Sequence, residues 1–448
     1  MKQQSVSRPW RLAPSIAAFA AALASGGLLT VVDQAVVSLT NLIWIRQIGR
    51  TLPLESLGDY YCLMAFVLLA LNVEAQLLTA PYAVRSHQKK AGTELDGYTG
   101  AVFFHEFVVL SITCALFFGG AIVAALNGWS SLPALAALCI AAPCYLMRMF
   151  VRFVCFSREQ HLSAVALDVA VAVVQLGGLY VLCSTAQLEL YQTFAVLGLS
   201  SGVMTLVWLR WTPVRWTFRR ETWQAWKENW SFGRWALLSF AVVGVLSHVF
   251  PWLVALMADR SQAGFLGACT TISGVATMFV IGLANGLTPA AARTYAENGK
   301  RALLGVLGRN AAVMGVAVGG FLIVAVVAGD WILARLVYDG RFTGQGTTLA
   351  WLAAAVLATA ASVIFGNGLW AIERPKLNLS ADIVALVATV SLALWWIPSG
   401  GAVGAASAIC IGNSAGALVR GLVFLAAIRA IMDDGQIDAS GPPESSAC

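Results

Sequence analysis

Ionisable side chains are scarce in this chain, so those inside its apolar runs stand out: Asp33, Glu74, Arg148, Arg152 and Asp168. A charge in hydrocarbon is costly and persists where it faces a bundle interior or a wet cavity. Spacing around Asp33 is informative. Asp33, Val37 and Thr40 fall on one helical stripe, and Gln34, Ser38 and Asn41 on the stripe beside it. The result is one broad polar face on an otherwise apolar helix. Asp33 lies about eight residues into that helix, ~12 Å deep at 1.5 Å per residue. Such a face either lines a central cavity, with Asp33 holding a proton or a coupling cation, or hydrogen-bonds neighbouring helices.

Arg148 and Arg152 are four apart and project from one helical face, and Asp168 enters the next apolar run at a comparable depth, within reach of either. Two guanidiniums on a cavity wall suit a diphosphate, because each offers a planar fork of donors to phosphate oxygens. The competing use is snorkelling to headgroups. Glu74, flanked by Asn72 and Gln76, is a further candidate for ion coupling. His105 and Glu106 begin an apolar run and are expected at a solvated interface. His248 lies three residues before Pro251, whose ring removes a backbone donor and is expected to bend its helix.

Other chemistries are excluded by what is missing. There is no GxSxG, HExxH, P-loop or dinucleotide fingerprint. The nine cysteines are scattered through apolar runs without CxxC or Cys/His clusters, so neither a metal site nor a disulfide framework is expected. The sequence implies no cofactor beyond a coupling H+ or Na+, and no nucleic-acid partner.

The elements that position these residues follow from composition. Hydrophobic residues make up 59% of the chain and charged residues 11%, against roughly 25% charge in a soluble domain. Apolar runs recur at 25–46, 59–80, 101–126, 132–154, 163–183, 190–209, 233–257, 263–287, 310–329, 347–371, 377–397 and 402–428. Each is long enough for a helix to span a bilayer, which takes roughly 20 residues. The expected fold class is all-α, a polytopic membrane protein of about 12 transmembrane helices. With the N-terminus inside, 23 of the 28 Lys and Arg residues fall on inner segments and five on outer ones. That asymmetry places both termini in the cytoplasm. The first run, which acquires Asp33, Gln34 and Asn41, is too long and too polar at its end for a cleaved signal peptide.

The expected organisation is an N-lobe at 1–209, a basic Trp-rich linker at 210–232, a C-lobe at 233–432 and a disordered acidic tail at 433–448. The linker should lie along the inner leaflet against anionic lipid, since Trp favours the headgroup level and Arg favours negative charge. An internal repeat supports the two lobes. Gly58-Asp59-Tyr60 and Gly264-Phe265-Leu266 open the second and eighth spans. Each span runs to a proline expected to end its helix, Pro81 or Pro289, followed by a basic inner segment. Six spans per half would relate the halves by an axis along the membrane normal.

The stretch Val32-Asp33-Gln34-Ala35-Val36-Val37-Ser38-Leu39-Thr40-Asn41, then Leu57-Gly58-Asp59-Tyr60-Tyr61 and Thr79-Ala80-Pro81, resembles the multidrug/oligosaccharidyl-lipid/polysaccharide (MOP) exporter superfamily, in its polysaccharide-biosynthesis flippase branch. The sharp likeness covers roughly the first 60 residues of the membrane domain, and the twelve-span layout extends it. The resemblance implies two six-helix lobes in a V, with alternating access to a central cavity. It implies flipping of an undecaprenyl-diphosphate-linked oligosaccharide from the inner to the outer leaflet for exopolysaccharide, capsule or O-antigen assembly. Asp33, Gln34, Ser38 and Asn41 would line the cavity, Arg148 or Arg152 would meet the diphosphate, and Asp33, Glu74 or Asp168 would couple to the ion. The location implied is a bacterial inner membrane, with polysaccharide polymerase or export machinery as partners. Cavity motifs of the peptidoglycan-precursor branch are not evident. The rival readings are a multidrug or small-molecule cation antiporter of the same superfamily, which calls for an acidic cavity, and a polytopic polymerase or ligase, which calls for long outer loops.

Overall fold

The structure is a computed structural model and describes residues 27–90, 92–185, 188–211, 220–374 and 376–437. Helix runs on through the start of the expected tail to Ile437; the rest of that tail (438–448), residues 212–219 of the linker and the N-terminal basic residues lie outside the described residues. Among the described residues there is no strand.

The helices, in order, are α1 (Gly27–Thr51), α2 (Leu54–Glu74), α3 (Thr93–Leu126), α4 (Leu132–Ser157), α5 (His161–Thr185), α6 (Leu190–Trp211), α7 (Arg220–Val243) and α8 (Val245–Met257). The run Arg260–Trp331 is two helices meeting at Gly299, where φ is 71°: α9 (260–298) and α10 (300–331). Gly346–Ala371 is α11. Lys376–Ile437 is likewise two helices meeting at Gly401, with φ of 51°: α12 (376–400) and α13 (402–437). Only glycine adopts such angles without strain, so these two residues separate spans that would otherwise read as one rod. Among the described residues, eight helical stretches are apolar and long enough to cross a membrane, and two of them are these doubled runs. With α1 and the α7–α8 pair, twelve spans match the apolar runs of the sequence.

The prolines behave differently from expectation. Pro81 does not end its helix. The chain passes from α2 through a π-helical turn, Ala75–Thr79, into a further helical segment, Ala80–Ser86, with Pro81 in its first turn. The wider turn accommodates the ring and the missing N–H. Pro289 likewise lies inside α9, where the preceding hydroxyl of Thr288 donates to the Ala284 carbonyl at 3.1 Å. Pro251 sits within α8, and the discontinuity of that span comes at Gly244, seven residues earlier. Membrane helices carry proline where local π-type adjustments and neighbouring groups accommodate the freed backbone.

The chain forms two compact units. Residues up to Trp44 and Ala70–Leu237 make the first, and Ile45–Leu69 with Leu238 onward make the second. In the first, α4 and α6 approach closely because small residues meet: a Cβ on Gly198 would lie 2.6 Å from Ala141 Cα, and one on Gly202 2.9 Å from Cys144 Sγ. In the second, Gly412 and Gly416 give α13 the same close approach to Thr389 and Ala385 of α12, over a core that includes Val280, Leu307, Val356, Leu369 and Phe424.

Four of the five arginines expected on the outer side tie the second unit together. Arg341 donates to the carbonyls of Gly49, Arg50 and Leu52 at 2.9–3.0 Å, at the end of α1 where helix carbonyls lack partners. Arg46 and Arg50 donate to the carbonyls of Leu336 and Val337, and Arg260 pairs with Asp59 at 3.3 Å.

Helix α7 carries Trp223, Trp226, Lys227 and Trp230 of the linker. Thr222, Ala225, Asn229 and Gly233 are buried, at helical spacing, while Trp223, Trp230 and Trp235 are exposed. The buried face docks on the first unit. Asn229 accepts from the Tyr98 hydroxyl at 2.8 Å, Glu228 binds Arg85, and Gly233 lies so close to the π-turn that a Cβ would be 2.8 Å from the Gln76 carbonyl oxygen.

Candidate functional site

Four of the sequence-predicted residues come together in the first unit. Asp168 of α5 receives both guanidiniums of α4: Arg148 Nη2 donates to Oδ1 at 2.5 Å and Arg152 Nε to Oδ2 at 2.6 Å. Arg152 then uses Nη2 to reach Asp33 on α1, and its guanidinium also stands 5.0 Å from the Phe156 ring centroid. Asp33 and Asp168 are buried, Arg148 nearly so, and the Arg152 side chain is 18% exposed. The spacing of four between the arginines is what lets one helix serve both oxygens of a single carboxylate.

Two positive and two negative charges make this network neutral. Charges taken out of water are tolerable only when paired and hydrogen-bonded, and three ion pairs meet that condition. Satisfaction is incomplete at two atoms: Asp33 Oδ1 and Arg148 Nε are buried without a hydrogen-bond partner. One acceptor and one donor are therefore left over.

The remaining residues of the α1 polar face stand outside the network. Gln34 and Asn41 are exposed and Ser38 half-buried, and Gln34 donates weakly to the Ser38 hydroxyl at 3.4 Å. Glu74 is not part of the cluster. It is buried, at 1% exposure. The expectation that His105 and Glu106 meet a solvated interface is overturned, since they are 6% and 0% exposed. Helix α7 covers this end of α3, its Thr222 carbonyl bonded to His105 Nε2 at 3.1 Å and Trp226 against the imidazole.

The second unit holds a charge site that the sequence reading missed. Arg420 of α13 donates to Asp382 of α12 and to the Ser362 hydroxyl of α11, and more weakly to the Asn378 carbonyl at 3.4 Å. Its Nε is buried without a partner. A signal was present. Asp382 lies six residues into α12 much as Asp168 lies seven into α5, so each sequence half places an aspartate early in its fifth span. The arginine comes from a different helix in each half, and a search for a repeated Arg-x-x-x-Arg overlooks it.

No family model matches the chain, and no curated protein matches it. Solved structures do. An inward-facing multidrug resistance MATE family transporter of the MOP superfamily aligns with TM-score 0.69 at 14% identity, over 89% of this chain and 96% of that one. The lipid II flippase MurJ in an inward closed conformation aligns with TM-score 0.65 at 12% identity, over 88% and 86%. A MOP superfamily transporter from Pyrococcus furiosus, described as having a binding pocket of reversed polarity, aligns with TM-score 0.61 at 15% identity, over 90% and 95%. At these identities the likeness is one of fold. The chain is a polytopic all-helical membrane protein with the fold of the MOP superfamily transporters.

Proposed function

We propose that this protein is a secondary transporter working by alternating access, and that its substrate is an undecaprenyl-diphosphate-linked oligosaccharide flipped from the inner to the outer leaflet for exopolysaccharide, O-antigen or capsule assembly. The observation that carries the choice of an anionic substrate is the state of two arginines, one buried and one half-buried. Arg148 and Arg420 each keep an unpartnered Nε, and Arg is the side chain best shaped for phosphate oxygens. An uncovered amide and hydroxyl face (Gln34, Ser38, Asn41) suits sugar hydroxyls, which both donate and accept. Both termini would be cytoplasmic and the membrane a bacterial inner membrane, with the exposed tryptophans and cations of α7 against inner-leaflet anionic lipid and a polymerase or export machinery downstream. A coupling H+ or Na+ would supply the energy.

Deleting the gene in its host and measuring surface polymer tests the reading. Loss of polymer, with lipid-linked oligosaccharide accumulating in the inner leaflet and rescue by the wild-type gene, is the expected result. Undiminished polymer with no accumulation would sink it. The rival, a cation exporter, is favoured by the buried acidic residues Glu74 and Glu106, and it predicts instead that deletion sensitises the cell to amphipathic cationic drugs.

A further inference from the structure

We infer that Gly366, Asn378 and Arg420 form a binding recess in the second unit for one neutral O–H group, supplied by a water molecule or by a saccharide hydroxyl. Three helices meet there. A Cβ on Gly366 of α11 would lie 3.4 Å from Asn378 Oδ1 of α12, and 3.5 Å and 3.9 Å from Arg420 Cδ and Nε of α13. One acceptor and one donor therefore border the same side of a residue that has no side chain. Both atoms are buried, and neither has a hydrogen-bond partner.

The rest of each side chain is held in place. Arg420 gives Nη1 to the Ser362 hydroxyl. It gives Nη2 to Asp382 and, at 3.4 Å, to the Asn378 carbonyl. Ser362 lies one turn before Gly366 on α11, so the end of the guanidinium is anchored while Nε is left beside the glycine. Asn378 Nδ2 donates to the Gly366 carbonyl at 3.4 Å. That bond sets which way the amide lies, because the reverse orientation would put two carbonyl oxygens face to face.

These two atoms define what the recess takes. The group must accept from Nε and donate to Oδ1, and a hydroxyl does both with a single oxygen. A cation cannot accept from Nε, and a fully ionised phosphate oxygen has no proton to give Oδ1. Leaving both atoms bare would cost the desolvation of each, and a buried water is held where such polar partners converge. Resting on the transport reading above, a hydroxyl of the sugar that adjoins the diphosphate would bring the same O–H group.

Gly366 serves space rather than backbone. It lies within α11 and its φ is outside the left-handed region, so the conformation does not require glycine. The contacts a Cβ would make, at 3.4 Å and beyond, are ordinary van der Waals distances. An alanine would thus fit among the protein atoms and occupy the recess.

Thermal unfolding of the full-length protein in detergent tests this with Gly366→Ala and Gly366→Ser, each without ligand and with farnesyl-diphosphate-linked N-acetylglucosamine added. Packing and helix propensity alone would rank alanine first and serine next, above glycine. The recess predicts a different order. Gly366→Ala should lower the melting temperature by a few degrees, because its methyl displaces the O–H group. Gly366→Ser should match or exceed the wild type, because it carries its own hydroxyl to the same place. An alanine deficit in the ligand-free protein assigns the group to water, and one that appears only with the lipid-linked sugar assigns it to the saccharide. Alanine at or above the wild type in both conditions, or serine falling as far as alanine, overturns the inference. The ligand-free arm needs no substrate, so its failure is distinguishable from a failure of the transport reading.

Discussion

Gly58 and Gly264, the two glycines that open corresponding spans of the two sequence halves, lie directly against each other. A Cβ on Gly264 would sit 3.1 Å from Gly58 N and 2.9 Å from the Leu54 carbonyl oxygen. These close approaches are where α2 packs against α9 within the second unit.

That crossing predicts an asymmetric cost. A Cβ on Gly58 would fall 1.8 Å from the Arg260 carbonyl oxygen, a backbone atom that cannot rotate away. Gly58→Ala should therefore lower stability by about 1–3 kcal/mol through forced backbone displacement. Gly274 has open space around its Cα, so Gly274→Ala should leave the protein unchanged or slightly firmer, since alanine is the better helix former. Thermal unfolding of the two variants in the same detergent checks the contrast.

The charge network predicts rescue. Arg152→Gln leaves Asp33 and Asp168 with one arginine between them, and removing one partner of a buried pair costs about 3–5 kcal/mol. Adding Asp33→Asn leaves Arg148 with Asp168, a balanced pair, and should restore most of the loss. A double-mutant cycle on thermal stability reads the coupling. Equal, additive losses would mean that Asp33 does not depend on Arg152 for its charge.

How much of this was legible in the sequence divides along a physical line. Span positions were, because hydrocarbon imposes length and apolarity on each segment separately. Arg148, Arg152 and Asp168 were legible as a group because the interaction is local to one helix hairpin. The attachment of Asp33 to Arg152 was not, since residues 119 apart meet only through packing that small residues permit. Glu106 was misjudged for the same reason: its surface position on α3 is covered by α7, more than a hundred residues later. Proline was read as a stop where the helices continue, at Pro81 through a π-helical turn, because that adjustment belongs to the surrounding backbone rather than to the ring.

The second unit's charge site predicts a split between stability and transport. Arg420→Lys keeps one charge for Asp382 but cannot also reach Ser362 and keep a free donor, since an ammonium lacks the fork. Stability should fall by less than about 1 kcal/mol, the range of partly exposed ion pairs, while polymer export in cells drops several-fold. Equal export at equal protein level would remove Arg420 from substrate contact.

The outer arginines predict the reverse. Arg341 meets three orphan carbonyls at the end of α1, a place where a positive charge also complements the negative end of the helix dipole. Its substitution by Ala should cost about 1–3 kcal/mol, the range for unmaking charge-assisted hydrogen bonds. Hydrogen–deuterium exchange should show the loss first in residues 49–52, whose carbonyls lose their donor. The same variant leaves Asp33, Arg148 and Arg152 untouched. Exchange that rises uniformly over α1 and α4 instead would mean that the contact holds the whole bundle, not only the end of one helix.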